Sequence, residues 1–252
     1  MYTVAGIWRY PIKSMQGEPV DAAHLDARGM SGDRGRALID AATGKVASGA
    51  WRARRWADLL HCSASYLEQP RPDRPVPEAR IALPSGRCLR TDAPGIDAQL
   101  SRALERDVRL ATAGQESDDV MYGDPPPGTF RDVAPLHVLT TGTLARLAEL
   151  APMTSFDARR FRPNLVIDTA AEVGFVEDQW LGRTLTIGGE VCLRLTSRCP
   201  RCVMTTHAQG GLPKDAEVLR SVARSNHANV GIYAEVAVPG TVHVGAGLRL
   251  SA

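Results

Sequence analysis

The segment Leu195-Thr196-Ser197-Arg198-Cys199-Pro200-Arg201-Cys202-Val203-Met204-Thr205-Thr206 sets two cysteines beside two arginines. It continues an alternating stretch, Glu190 to Thr196, whose period of two reads as a strand. Cys199 and Cys202 are therefore expected where that strand leaves its sheet, a place where folds display chemistry. Arg198 and Arg201 favour the charged form of a nearby thiol, and the thiolate is what attacks electrophiles or ligates soft metals. Four readings compete. A thioredoxin-like pair needs a helix directly after its Cys-x-x-Cys, whereas Val203 to Thr206 and Ala208-Gln209-Gly210-Gly211 read as strand and turn. A structural zinc site needs about four ligands, and the remaining candidates, His207, Cys62, Cys88 and Cys192, are scattered. Both cysteines could instead be small buried residues. In the fourth reading one thiolate is a ligand to a transition metal held mainly by something other than protein.

The composition narrows the field. The chain has 252 residues, 44% of them hydrophobic, enough for one large domain or two small ones with a real core. A formal charge of +2 excludes a broad nucleic-acid-binding face. Five cysteines, an odd number without framework spacing, point to a reducing compartment. The N-terminal residues are too mixed for a signal peptide and no apolar run is long enough to span a bilayer, so a cytoplasmic location without membrane contact is expected.

The remainder of the chain reads as many short strands with a few helices. Thr3 to Tyr10 is a strand stopped by Pro11, and it delivers Lys13 and Ser14 side by side, a point charge and a donor suited to an anionic oxygen. Val20 to Arg28 reads as a second strand. Gly29 to Arg36 is a glycine-punctuated turn without the strand, helix and distal acid of a dinucleotide site, and its Arg34 and Arg36 are expected to reach an anion near Lys13. Helical character is expected over Ala50 to Leu60 and Gly95 to Glu105. Pro70 to Pro77, with four prolines, is read as irregular. The acidic, proline-rich residues 117–127 are expected to link an N-terminal domain, 1–116, to a C-terminal domain, 128–252. Beyond them come a strand at Leu136 to Leu139, a helix capped by Thr140-Thr141, a strand at Leu165 to Ile167 preceded by Arg162-Pro163-Asn164, a helix from Lys214 to Ser225, and closing strands. This pattern predicts an α+β, β-rich chain built on a barrel or curved sheet with interspersed helices.

Four separated stretches together resemble one family. Tyr10-Pro11-Ile12-Lys13-Ser14 is similar to the opening of the N-terminal β-barrel domain that accompanies MOSC domains, named for the molybdenum cofactor sulfurase C-terminus. Phe161-Arg162-Pro163-Asn164, the Phe175 to Gly189 stretch with Trp180, and Ser197 to Thr206 resemble the MOSC domain itself, as found in stand-alone reductases typified by the mitochondrial amidoxime reducing component and its bacterial relatives. The resemblance implies a β-barrel MOSC domain beside a smaller N-terminal barrel. It implies a molybdenum-molybdopterin cofactor whose metal takes the thiolate of Cys202, the residue on which catalysis depends. It assigns cofactor binding to Lys13, Ser14, Arg34, Arg162, Asn164, Ser197, Arg198 and Arg201, and makes Cys199 a neighbour. Neither pyridoxal phosphate nor an iron–sulfur cluster is expected in this chain.

The activity so implied is reduction of N-hydroxylated substrates (amidoximes, hydroxylamines, N-hydroxylated bases) by oxygen-atom abstraction at molybdenum, with electrons from a separate flavin or iron–sulfur reductase. His207 and Asp132 are candidate proton donors. His207-Ala208-Gln209 stands where animal-type members have Val-Asp-Pro, which bears on the substrate mouth. Two rival expectations are a cofactor carrier or sulfur-handling protein without turnover, and a cofactor-free redox switch built on Cys199 and Cys202.

Overall fold

A computed structural model describes residues 1–50, 53–116, 118–121 and 129–251. The expected connection at 117–127 falls largely outside the described residues. The chain is β-rich α+β, as its pattern of short strands requires.

Its main sheet has eight strands in the order Leu248–Ser251, Thr184–Ile187, Val191–Pro200, Asn229–Val238, Leu136–Thr140, Leu165–Asp168, Thr3–Arg9 and Glu18–Val20. The first strand of the chain thus pairs antiparallel with Leu165–Asp168, matching Ile7 to Leu165. Leu136–Thr140 and Leu165–Asp168 run parallel, and the helix Thr141–Leu150 makes the crossover between them. That helix starts where expected because the Thr140 hydroxyl accepts the Thr143 N–H. Alternate residues of these strands, among them Ile7, Val138, Leu165, Leu193, Leu195 and Ile232, form one core. Each such aliphatic side chain contributes roughly 1.5–3 kcal/mol when fully buried. Leu147 of the crossover helix meets Val218 and Val222 of the helix Glu217–Asn226 in a smaller cluster on the sheet.

The N-terminal half adds Arg36–Asp40 paired with Val108–Thr112, and the three strands Ser63–Tyr66, Ala79–Ala82 and Cys88–Arg90. Its core joins Leu38, Trp56, Leu59, Ile81 and Leu100 to Ile12 and Met15. Those last two residues flank Lys13-Ser14, so two wholly buried side chains pin that turn from both sides.

Several local expectations are corrected. Val20 to Arg28 is not one strand: Ala22–Asp26 is separate from Glu18–Val20 and pairs with Gly240–His243 near the C-terminus. The helix expected at 50–60 is, among the described residues, one α turn, Ala53–Trp56, followed by a 3-10 turn, Ala57–His61. The helix expected from Lys214 begins at Glu217, whose N–H donates to Asp215. Val203–Thr206 is a 3-10 turn and not a strand. No helix among the described residues is long and apolar enough to cross a membrane.

Candidate functional site

Strand ends from both halves of the chain converge on a cleft of about 420 Å³, within the range of small-molecule sites. One wall is irregular backbone from the N-terminal half. Lys13 is buried, donates to Phe130 O at 2.6 Å and pairs with Asp132 at 2.8 Å. Burial pulls the Lys13 ammonium below its ordinary pKa, and Asp132 opposes that shift. The Ser14 hydroxyl accepts the Gly49 N–H at 3.0 Å.

Behind this wall Asp33 is sealed from solvent. Its carboxylate takes Arg34 Nη1 at 2.5 Å, lies 3.5 Å from Arg131 Nε and accepts the Tyr10 N–H at 3.0 Å. Burial raises the Asp33 pKa, but Arg34 and Arg131 outweigh it and hold the carboxyl below its ordinary value. The Tyr10 ring carries two guanidiniums, Arg34 at 4.4 Å and Arg162 at 4.2 Å from its centroid. Arg162 also donates to Met15 O at 2.6 Å, and burial, then Arg34, lower its pKa to about 10.

Ser14, Arg34 and Arg162 all line the cleft with left-handed backbone, at φ 67, 50 and 54. Such conformations cost of order 1–3 kcal/mol for non-glycine residues and persist where the surroundings over-determine them, often at functional sites. Here buried Ile12, Met15, Tyr10 and Asp33 supply that constraint.

The opposite wall is built on strands. His137, Tyr233 and Cys199 come from the neighbouring strands Leu136–Thr140, Asn229–Val238 and Val191–Pro200. Cys199 is buried, and Arg201 Nη1 donates to its sulfur at 2.7 Å while Nη2 donates to Phe161 O at 2.8 Å. Cys202 follows at the cleft rim with its thiol exposed. The Val203–Thr206 turn behind it is closed by hydroxyls: Thr205 donates to Cys202 O and Thr206 to Val203 O. Buried Arg160 clamps the same segment through the carbonyls of Thr205, His207 and Pro213.

Of the residues expected at the site, Lys13, Ser14, Arg34, Arg162, Asn164, Arg201 and Cys202 line one cleft. Asn164 lies between the halves, donating to Trp8 O and accepting the His137 N–H. Ser197 and Arg198 are not brought to it. The strand register shifts between Leu195 and Ser197 and again between Arg198 and Pro200, so Ser197 is turned outward and exposed Arg198 pairs with Asp178. Arg36 points away, to Glu78, and His207 does not line the cleft, whereas Asp132 does. Sequence reading missed Asp33, Arg131, Tyr10, His137 and Tyr233. The first was readable only as the acid preceding Arg34; the others carry no local signal, because their partners are distant in sequence.

The cleft therefore sets Lys13, Arg34, Arg131, Arg162 and Arg201 against two carboxylates, Asp132 and the underlying Asp33, around an exposed thiol. Such a set binds an anion, through forked guanidinium donors and a point charge. Arg201 Nε is buried with no hydrogen-bond partner among the described residues, so a donor remains unspent. The donor chemistry fits a phosphate-bearing group whose metal accepts one soft ligand.

Two family models match the chain: the MOSC N-terminal beta barrel domain over residues 1–69 and the MOSC domain over residues 125–249. Together they take in most of the chain, with the cleft between their contributions. The chain belongs to the MOSC family, a family tied to the molybdenum cofactor, and carries both domains in order. Among solved structures it is similar to the YuaD protein from Bacillus subtilis, at 11% identity and a TM-score of 0.50 over 99% of this chain and 96% of that one. That likeness is one of fold. A shorter correspondence is to YiiM from Geobacillus stearothermophilus, at 18% identity and a TM-score of 0.34 over 47% of this chain and 55% of that one. No curated protein matches the chain.

Proposed function

We propose that the protein is a molybdenum-cofactor-dependent reductase of N-hydroxylated compounds, supplied with electrons by a separate flavin or iron–sulfur protein. The observation that carries this reading is the exposed Cys202 thiol at the rim of a cleft lined by buried Lys13, Arg131 and Arg162, with Arg34 and Arg162 on left-handed backbone. Cys202 would ligate the metal. Lys13, Ser14, Arg34, Arg162, Asn164 and Arg201 would hold the cofactor's phosphate and pterin. When bound, the cofactor supplies two-electron oxygen-atom abstraction.

The chain's own groups fix orientation and protons. The Asp33 and Tyr10 cluster prevents Arg34 and Arg162 from swinging into solvent, so an anion meets preformed donors. Burial, then Cys199, raise the Tyr233 pKa, so its hydroxyl stays protonated beside Cys199. The Asp132 carboxylate, against Lys13 Nζ, is the acidic group on the opposite wall. Val133, Pro200 and Met204 give the mouth an apolar rim that limits water and suits an uncharged organic substrate.

The test is reduction of benzamidoxime by cofactor-loaded, chemically reduced protein. Wild type is expected to form benzamidine, and Cys202→Ala to lose at least about a hundredfold in rate while keeping its fold. A cofactor-loaded wild type that reduces no amidoxime, hydroxylamine or N-hydroxylated base would leave the carrier role in its place.

A further inference from the structure

The two cysteines of the pair differ in every physical respect. Cys202 is exposed at the rim, whereas Cys199 is 1% exposed and surrounded by donors. Its sulfur accepts from Arg201 Nη1, and a guanidinium donor favours a thiolate over a neutral thiol, which is a weak acceptor. His137 and Tyr233 line the same cleft and favour its charged form. The fold goes to some length to seat these groups. A register shift between Arg198 and Pro200 re-aims the strand at Cys199. On the next strand, residue 231 is a glycine at φ +77, where a Cβ would stand 2.1 Å from His137 Nε2. Among the described residues Arg201 in turn has no carboxylate partner: its other contacts are Phe161 O and the Phe161 ring. A half-buried guanidinium held this way favours an anion beside it, because removing charge from water is costly.

We propose that Cys199 is a resident anion of the cleft, a buried thiolate that holds the Arg201 guanidinium beside Cys202. It is a positioning residue, so the pair divides into an internal counter-ion and an external ligand and is not a disulfide couple. Burial raises the Cys199 pKa, but Arg201 foremost, then His137 and Tyr233, outweigh it and bring the thiol down to about 6. The titratable groups around it are Arg201 on its own segment, Tyr233 on the adjacent strand, His137 on the strand beyond that and, beyond Tyr233, Asp132.

The first test needs no cofactor. Thiolate ultraviolet absorbance at neutral pH is compared between Cys202→Ala and the same protein carrying Cys199→Ser as well. A band in the first that the second lacks supports the thiolate; equal absorbance overturns it, whatever becomes of the molybdenum reading. The second test, which rests on that reading, is molybdenum content after expression in a cofactor-producing host. Cys199→Ser is expected to fall by about tenfold or more and Cys199→Asp, which restores the charge, to recover most of it. A Cys199→Asp protein no better than Cys199→Ser, or a Cys199→Ser protein equal to wild type, would overturn the counter-ion role.

Discussion

The two walls of the cleft solve the same problem by different means. On the N-terminal side, Lys13, Ser14 and Arg34 stand on irregular backbone, two of them in left-handed conformations, and are fixed from behind by buried Asp33, Tyr10 and the side chains flanking Lys13-Ser14. On the C-terminal side, His137, Tyr233 and Cys199 stand on paired strands, and register with its bulges decides which way they face. The N-terminal wall stores backbone strain and a buried acid behind it; the C-terminal wall places its groups by strand register. Damage to the first should therefore appear as electrostatics and damage to the second as sterics.

Asp33→Asn attacks the first wall hardest. It leaves Arg34 and Arg131 without their buried partner, at a cost of about 3–5 kcal/mol in chemical denaturation. Because the folded-state pKa of Asp33 lies below its ordinary value, the stability it contributes is present above that value and lost as pH falls through the folded one. The gap between wild type and Asp33→Asn should thus narrow in acid. A gap constant with pH would mean the ion pairs add little.

Gly231→Ala attacks the second wall. The added methyl meets His137 and must adopt a positive φ, so a loss of about 1–3 kcal/mol is expected, with no narrowing of the gap in acid. A neutral substitution would show that His137 repacks freely. The smallest effect is at Ser14. Ser14→Ala should cost about 1 kcal/mol through the lost Gly49 hydrogen bond. Ser14→Gly should lie closer to wild type, because glycine relieves the strained backbone as it loses the same bond. Thermal melts of the two would rank them.

The difference between the walls also explains what was legible in the sequence. Lys13-Ser14 after a proline-stopped strand and Arg34 in a glycine turn were readable from local chemistry, whereas Arg162 and Asn164 entered through the family resemblance. The placing of Cys199 and Cys202 at a strand end was readable too. Ser197 and Arg198 look like site residues on the same logic, yet two register shifts send them outward, and alternation alone does not reveal a bulge. Arg36 resembles Arg34 in the same turn, but it is bound to Glu78 and faces away from the cleft. Asp33 to Arg131, Arg201 to Phe161 O and His137 to Val230 O are contacts between distant segments that only the assembled sheet creates.

The measurement that bears most directly on the account is molybdenum and pterin content of protein made in a cofactor-synthesising host, wild type against Cys202→Ala. Near-stoichiometric metal in wild type, lost or electronically altered in Cys202→Ala while both melt alike, is the predicted result. Metal absent from both, or equal and spectroscopically identical in both, would contradict the assignment of Cys202 as the ligand on which the cleft is centred.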